Sequence, residues 1–219
     1  MNVLITGATG MVGSEVLTRC LAEDKITHVL AVGRRKCGVT DAKLSEVEHD
    51  DFLDYALLEN RLAHIDACFF CIGVYQNSVS KDEFWRVTVD NPQALIEAFE
   101  RASNKVRFCL FSAQGASSSE KSPIRFAKAK GRAENILLAS GLTEKYVFRP
   151  GFIRSGPAKR GAIAYEKWFV PAYKLFPRIG IDAPDLARVM VDVGINGHAQ
   201  TIFENRDLRA YGTGSTIGS

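Results

Sequence analysis

Apolar positions along this chain fall into short unbroken runs that alternate with stretches of helical spacing, starting at residue 2. "NVLIT" (2–6) is apolar and β-branched and reads as a strand. Met11, Val12, Val16, Leu17, Cys20 and Leu21 then recur at the spacing of one helix face over residues 11–23. "HVLAV" (28–32) predicts a second strand, "SEVEHD" (45–50) a weaker third, and "YALLENRL" (55–62) a helix. "IDACFFCIG" (65–73) is continuously apolar and stops at glycine, the pattern of a strand covered on both faces. Asn91-Pro92 precedes "QALIEAFERA", where Leu95, Ile96 and Phe99 form one stripe. "VRFCLFS" (106–112) is the next strand. Pro123 suits the first turn of a helix that runs to about Ser140 and stops at Gly141, and "KYVFRP" (145–150) is a strand closed by proline.

Strand and helix alternate throughout, which predicts an α/β fold: a doubly wound parallel sheet with helices on both faces, residues 1–219 forming a single domain. Past Pro150 the regular pattern lapses. Residues 151–184 gather glycine, proline and the aromatics Tyr165, Trp168, Phe169, Tyr173 and Phe176. This segment is expected to be a small irregular lobe, a lid on the substrate side. "DLARVMVDVG" (185–194) reads as a last helix, "TIFENRDL" as a last strand or edge, and the tail as loose.

Composition narrows the classes. With 219 residues, 46% of them hydrophobic, the chain can close one substantial core. A net charge of +3 and a pI near 8.6 give no basic footprint for nucleic acid. No apolar run is long enough for a membrane span, and no leader precedes the first strand, so a cytoplasmic protein is expected. The five cysteines are Cys20, Cys37, Cys68, Cys71 and Cys109. "CFFC" (68–71) has C-x-x-C spacing, but residues three apart on a strand point to opposite faces and cannot grip one metal ion. Reduced, buried thiols and no metal site are the expectation.

The most informative stretch is "VLITGATGMVGSEV" (3–16). A strand ends at Thr6, and Gly7, Gly10 and Gly13 open a helix, with Thr9, Met11 and Val12 between them. Gly7 would allow the tight turn, Gly10 the approach of backbone to a pyrophosphate, and Gly13 close packing of helix on sheet. The helix start would then offer free N–H groups to phosphate. The pattern predicts a Rossmann-type dinucleotide site. Its cofactor is set at the end of the second strand, where an NAD site carries an acid. Here the sequence is "AVGRRKCG": Arg34, Arg35 and Lys36 in a row. Guanidinium groups pair with a 2′-phosphate, so NADP(H) is expected.

"GATGMVG", "VGRRK", "HDDFLD", "CFFCIG", "RFCLFSAQGA", "KAKGRAE", "VFRPGFI" and "IFENRDLRA" occur in this order across nearly the whole chain. Together they resemble the atypical short-chain dehydrogenase/reductases. Within them they are most similar to the Tat-interacting-protein-like branch and to bacterial relatives labelled nucleoside-diphosphate-sugar epimerase-like. The resemblance implies that Asp51 and Phe52 face the adenine and that Cys71, Ile72 and Gly73 lie along the cofactor ribose. It also implies that Ser112 holds a substrate carbonyl, that Lys130 bonds the nicotinamide ribose, and that Pro150 and Gly151 lie against the nicotinamide.

One position departs. The family's Tyr-x-x-x-Lys is "FAKAK" (126–130) here, with phenylalanine in place of the acid. Phenylalanine has no proton to give, and no tyrosine occurs between Tyr75 and Tyr146 to restore the motif by a shift. Three readings follow. The protein passes hydride to a small planar acceptor, quinone- or flavin-like, that needs no strong acid. Or Tyr75, Ser112, Tyr165 or Tyr173 replaces the tyrosine. Or the protein binds NADPH without turnover and acts on a protein partner through the aromatic stretch 164–176. Sugar-nucleotide epimerisation ranks below these, because the tyrosine is its usual base and the chain lacks a large C-terminal substrate domain.

Overall fold

A computed structural model describes residues 1–155 and 179–211. The aromatic stretch 164–176, with Tyr165, Trp168 and Tyr173, lies outside the described residues, as does the tail from 212. In chain order the elements are β1 (Asn2–Thr6), α1 (Met11–Ala22), β2 (His28–Gly33), β3 (Leu44–Glu48) and a 3₁₀ turn (Ala56–Leu58) leading into α2 (Glu59–Leu62). β4 (Ala67–Phe70) follows. Then α3 (Lys81–Trp85) runs through a π turn (Arg86–Asp90) into α4 (Asn91–Ala102). After these come β5 (Arg107–Phe111), α5 (Arg125–Ala139), β6 (Glu144–Arg149), β7 (Phe152–Arg154), β8 (Gly180–Asp182), α6 (Ala183–Asn196), β9 (Ile202–Glu204) and α7 (Asn205–Ala210).

Seven parallel strands form one sheet in the order β3-β2-β1-β4-β5-β6-β9. The chain winds outward from β1 to β3, then returns to β4 and winds the other way. Strand order therefore reverses between β1 and β4, and a crevice opens at their carboxyl ends. β1 is central, pairing Ile5 with Ala31 on one side and with Phe69 on the other. Its residues alternate between two cores. Val3 and Ile5 pack with Cys71, Cys109 and Met190 under α1 and α6. Leu4 packs with Cys68, Phe99, Phe108 and Leu137 under α4 and α5. Cys68 and Cys71 thus stand on opposite faces of the sheet, as strand alternation requires. Lysines close two helix ends: Lys43 Nζ donates to the carbonyls of Leu21 and Glu23, and Lys145 Nζ to those of Leu138 and Ser140.

Sequence spacing and structure differ at three places. α5 begins at Arg125, so Pro123 lies ahead of the helix; the extended backbone of Ile124 forms the cap between them. "TIFENRDL" divides into the edge strand β9 and the start of α7, where Glu204 and Asp207 form a reciprocal capping box. Residues 81–90 are helical and carry α4 back to Ser80, whose hydroxyl accepts the Glu83 N–H at 3.1 Å. Beyond Pro150, β7 and β8 pair in parallel, Ile153 against Ile181.

Candidate functional site

The glycine loop is built by contacts that exclude side chains. Gly7 has φ +73°, and a Cβ there would lie 2.7 Å from the Cys71 carbonyl oxygen. A Cβ at Gly13 would lie 2.1 Å from the Gly7 carbonyl oxygen. α1 therefore rests directly on the loop, and the loop on the end of β4. Gly10 caps α1, its N–H donating to Gly7 O at 2.9 Å, and no acidic residue stands in the first turn. The helix start is open to an anion. Thr9 is exposed beside it. Val12 is buried in the core, and Met11 is half-buried with its sulfur accepting from Ser155 Oγ at 3.3 Å. These two side chains hold the helix down rather than face the crevice.

A cavity of about 470 Å³ lies at the carboxyl ends of β1, β2 and β4. Its walls bring together Gly7 and Gly10 of the loop, Arg34, Arg35 and Lys36 beyond β2, Phe52 beyond β3, and Cys71, Ile72 and Gly73 beyond β4. Arg34, Arg35 and Lys36 are exposed and have no ion-pair partner among the described residues. Thr6, the last residue of β1, has a buried hydroxyl with no hydrogen-bond partner among them either. Asp51 does not join this wall. It is exposed, and its carboxylate accepts the Leu53 N–H at 3.0 Å, capping its own turn.

Two acids on the wall escaped the sequence reading, Glu46 and Glu48. The alternation in "SEVE" places both on one face of β3, and that was the available signal. Glu46 Oε1 accepts the Cys37 N–H at 2.6 Å and so fixes the turn that carries the three cations. Burial, then the hydrogen bond to Glu46, pushes the Cys37 thiol up to about 12.

The remaining expected site residues lie along α5, β5 and β6. Ser112 is buried, and its hydroxyl donates to Glu134 Oε1. Glu134 is fully buried and binds Arg149 through Nε at 3.1 Å and Nη2 at 2.5 Å. Arg149 also holds Glu204 at 2.8 Å and Ser118 Oγ at 2.9 Å. Hydrogen bonds to these carboxylates, opposed by burial, raise the guanidinium further above its ordinary range. Ser112, expected from the resemblance to hold a substrate carbonyl, donates its O–H to Glu134 in this structure.

Lys130 is half-buried, one helical turn from Phe126 and one from Glu134. Its Nζ donates to Phe111 O over a long 3.4 Å and lies 5.6 Å from the Phe111 ring centroid. Burial lowers its pKa to about 8, against the opposing pull of Glu134. Phe126 packs against the cluster of Phe84, Val89 and Ala129, as do Val74, Val79 and Trp85. Pro150 and Gly151 stand beyond the described cavity: Pro150 O accepts the Gln114 N–H at 2.8 Å, and Gly151 N–H donates to Asn205 Oδ1 at 2.9 Å. Tyr75 is 52% exposed in the loop after β4.

Comparison with known proteins matches residues 7–194 to the family described as NAD(P)H-binding. Among curated proteins, the mitochondrial protein Fmp52-1 of Aspergillus terreus is 29% identical over 163 residues, covering 69% of this chain and 66% of that protein. Protein HTATIP2 of Rattus norvegicus is 27% identical over 155 residues, covering 69% and 62%. The match thus spans just under two thirds of each. Among solved structures, the Bordetella bronchiseptica enzyme WbmG in complex with NAD superposes with a TM-score of 0.71 at 20% identity, covering 93% of this chain and 72% of that one. DesIV of Streptomyces venezuelae, a dTDP-glucose 4,6-dehydratase with NAD bound, gives 0.70 at 18%, covering 96% and 80%. These findings agree with the atypical short-chain dehydrogenase/reductase resemblance. The cytoplasmic expectation is corrected: the Fmp52 relatives are named as mitochondrial, and the expectation rested on an absent leader, which carries no address. No helix among the described residues is long and apolar enough to cross a membrane.

Proposed function

The chain belongs to the NAD(P)H-binding family, and on that premise we propose that it is an NADP(H)-dependent reductase of a small planar acceptor, quinone- or flavin-like, that works without a tyrosine acid. The observation that carries the reading is the row Arg34, Arg35 and Lys36 on the wall of the cavity that begins at the glycine loop. Three cations with no ion-pair partner among the described residues suit a 2′-phosphate, and the open start of α1 suits the pyrophosphate. The residues therefore fit the cofactor: Gly7 to Gly13 and α1 would hold its phosphates, Phe52, Cys71, Ile72 and Gly73 its adenosine, and Lys130 its second ribose. Bound there, NADPH supplies a hydride. The protein supplies position.

Phe126 and the committed Ser112 leave the usual acid and carbonyl donor without a counterpart, which favours an acceptor whose reduced form is a stabilised anion. The same two observations support a second reading, a protein that binds NADPH and does not turn over. The fold likeness to NAD-bound sugar-nucleotide enzymes is below 25% identity and lends no substrate. The test is a fluorescence titration of the purified protein with NADPH and with NADH, followed by reduction of menadione and of FMN. Tight NADPH binding, weak NADH binding and menadione reduction are expected. Failure to bind either nucleotide would sink the reading. NADPH binding without reduction of any quinone or flavin would leave the second reading in its place.

A further inference from the structure

Resting on the NADP(H) reading, we propose that Glu46 is a positioning residue: it holds Arg34, Arg35 and Lys36 on the cavity wall and so sets the preference for a nucleotide that carries a 2′-phosphate. Arg34, Arg35, Lys36, Cys37 and Glu46 all line the same cavity. The three cations lie between two fixed points, and both are bonded to residues of β3 or just beyond it. Gly33 O accepts the His49 N–H at 2.9 Å, and the Cys37 N–H donates to Glu46 Oε1 at 2.6 Å. Between these points residues 34–36 make no backbone hydrogen bond among the described residues. The segment that carries the cations is therefore closed on the sheet by one carboxylate, through a short, charge-assisted bond.

Strand register shows how the segment is folded. Gly33 pairs with Glu48, whereas Cys37 is bonded to Glu46, two residues earlier on β3. The chain thus doubles back along the edge strand, with the three cations at the crest of the loop. Gly38, at φ +69°, turns it away again directly after the anchor. The Cys37 side chain packs against the core under α1 and α6, and its thiol is hydrogen-bonded to the same carboxylate. Fixing the backbone at Cys37 matters because arginine and lysine lose much rotamer freedom when they grip a ligand. Side chains presented from a fixed backbone bind with less of that loss still to come. The sign of the effect separates a tether from a charge. A carboxylate acting only as a charge on this wall repels a 2′-phosphate, so removing it would tighten NADPH binding. Removing a tether weakens it.

The experiment measures NADPH and NADH affinity by fluorescence titration of the full-length protein. The variants are Glu46→Ala, Glu46→Gln, and Arg34→Ala with Arg35→Ala, the last with and without Glu46→Ala. Glu46→Ala should weaken NADPH binding about tenfold, the scale of one lost hydrogen bond to a charged group. It should leave NADH binding within about twofold, because the glycine loop does not depend on the tether. Glu46→Gln keeps a side-chain carbonyl that accepts the Cys37 N–H, and should bring NADPH affinity back to within about threefold of wild type. Without the two arginines the effect of Glu46→Ala should shrink to about twofold, since most of what it places is gone. Four results would each overturn the positioning role and leave the NADP(H) reading standing: unchanged NADPH binding in Glu46→Ala, equal losses of both nucleotides, a loss undiminished without the arginines, or tighter NADPH binding in Glu46→Ala and Glu46→Gln alike. A wild type that binds NADPH no better than NADH overturns both.

Discussion

The ring of Phe126 lies 6.4 Å from that of Phe84, centroid to centroid, tilted by 33°, where the family's tyrosine would open α5. That ring packs against the cluster of Phe84, Val89 and Ala129. A hydroxyl added to it gains no role if the acceptor's reduced form takes its proton from solvent. Phe126→Tyr should therefore reduce menadione at a kcat within about threefold of wild type. A collapse in turnover, measured at saturating NADPH, would count against the acceptor reading.

Gly13 carries the opposite expectation, since its contact is backbone on backbone. The 2.1 Å separation between a Cβ there and Gly7 O cannot be relieved by a rotamer change. Gly13→Ala must lift α1 off the loop, at an overpacking cost of about 1–3 kcal/mol or more. Its urea midpoint should fall, and NADPH affinity should fall at least about tenfold as the phosphate cradle opens. Gly33→Ala is the control for folding, because its Cβ would meet Arg35 O at an ordinary 3.7 Å.

The choice between the two nucleotides should follow Arg34 and Arg35. A hydrogen bond to a charged group is worth about 1.5–3 kcal/mol, so Arg34→Ala or Arg35→Ala should weaken NADPH binding roughly 10- to 100-fold. NADH, which has no 2′-phosphate, should be unaffected. Both arginines are exposed, so added salt should weaken NADPH binding more than NADH binding. Equal losses for both nucleotides in a titration would place the 2′-phosphate elsewhere.

What was legible in the sequence was what local chemistry fixes. The glycine loop, the strands of the central sheet and the cation row at β2 each follow from residues within a few positions of one another. The stretch 81–90 was not legible, because "VTV" reads as strand by intrinsic preference. It is helical because Phe84 and Val89 bury themselves against α5. The bonding of Ser112 was not legible because its partners are distant in sequence: Glu134 is 22 residues away and Arg149 lies 15 beyond that. Asp51 and Phe52 are neighbours with different fates. The apolar one lines the cavity, while the acid caps its own turn.

The Glu134–Arg149 pair should matter more to folding than any other ion pair of the described residues. Side-chain exposure is 0% for Glu134 and 12% for Arg149, whereas Glu204, the other carboxylate on Arg149, is 38% exposed. Removing one partner of a buried pair strands the other, at about 3–5 kcal/mol. Removing a solvent-screened partner costs about 0–1 kcal/mol. Glu134→Gln should therefore lower stability several-fold more than Glu204→Gln in urea unfolding. Similar losses for the two would mean that water reaches Glu134.

Lys130 gives the stability a pH dependence opposite to that of a salt-bridged lysine. Burial lowers its pKa to about 8 from an ordinary 10.5, so between those values the unfolded chain binds more protons than the folded one. Stability then rises with pH across the window. Below about pH 8 the folded protein bears the full cost of a poorly solvated ammonium; above about pH 10.5 that cost is gone. Lys130→Met keeps an unbranched apolar stem, removes the charge, and leaves Glu134 paired with Arg149. It should raise the urea midpoint over wild type at pH 7, with the difference shrinking as pH climbs from 8 towards 10.5. Equal midpoints for Lys130→Met and the wild type at pH 7 would show that the ammonium is well solvated in the folded protein.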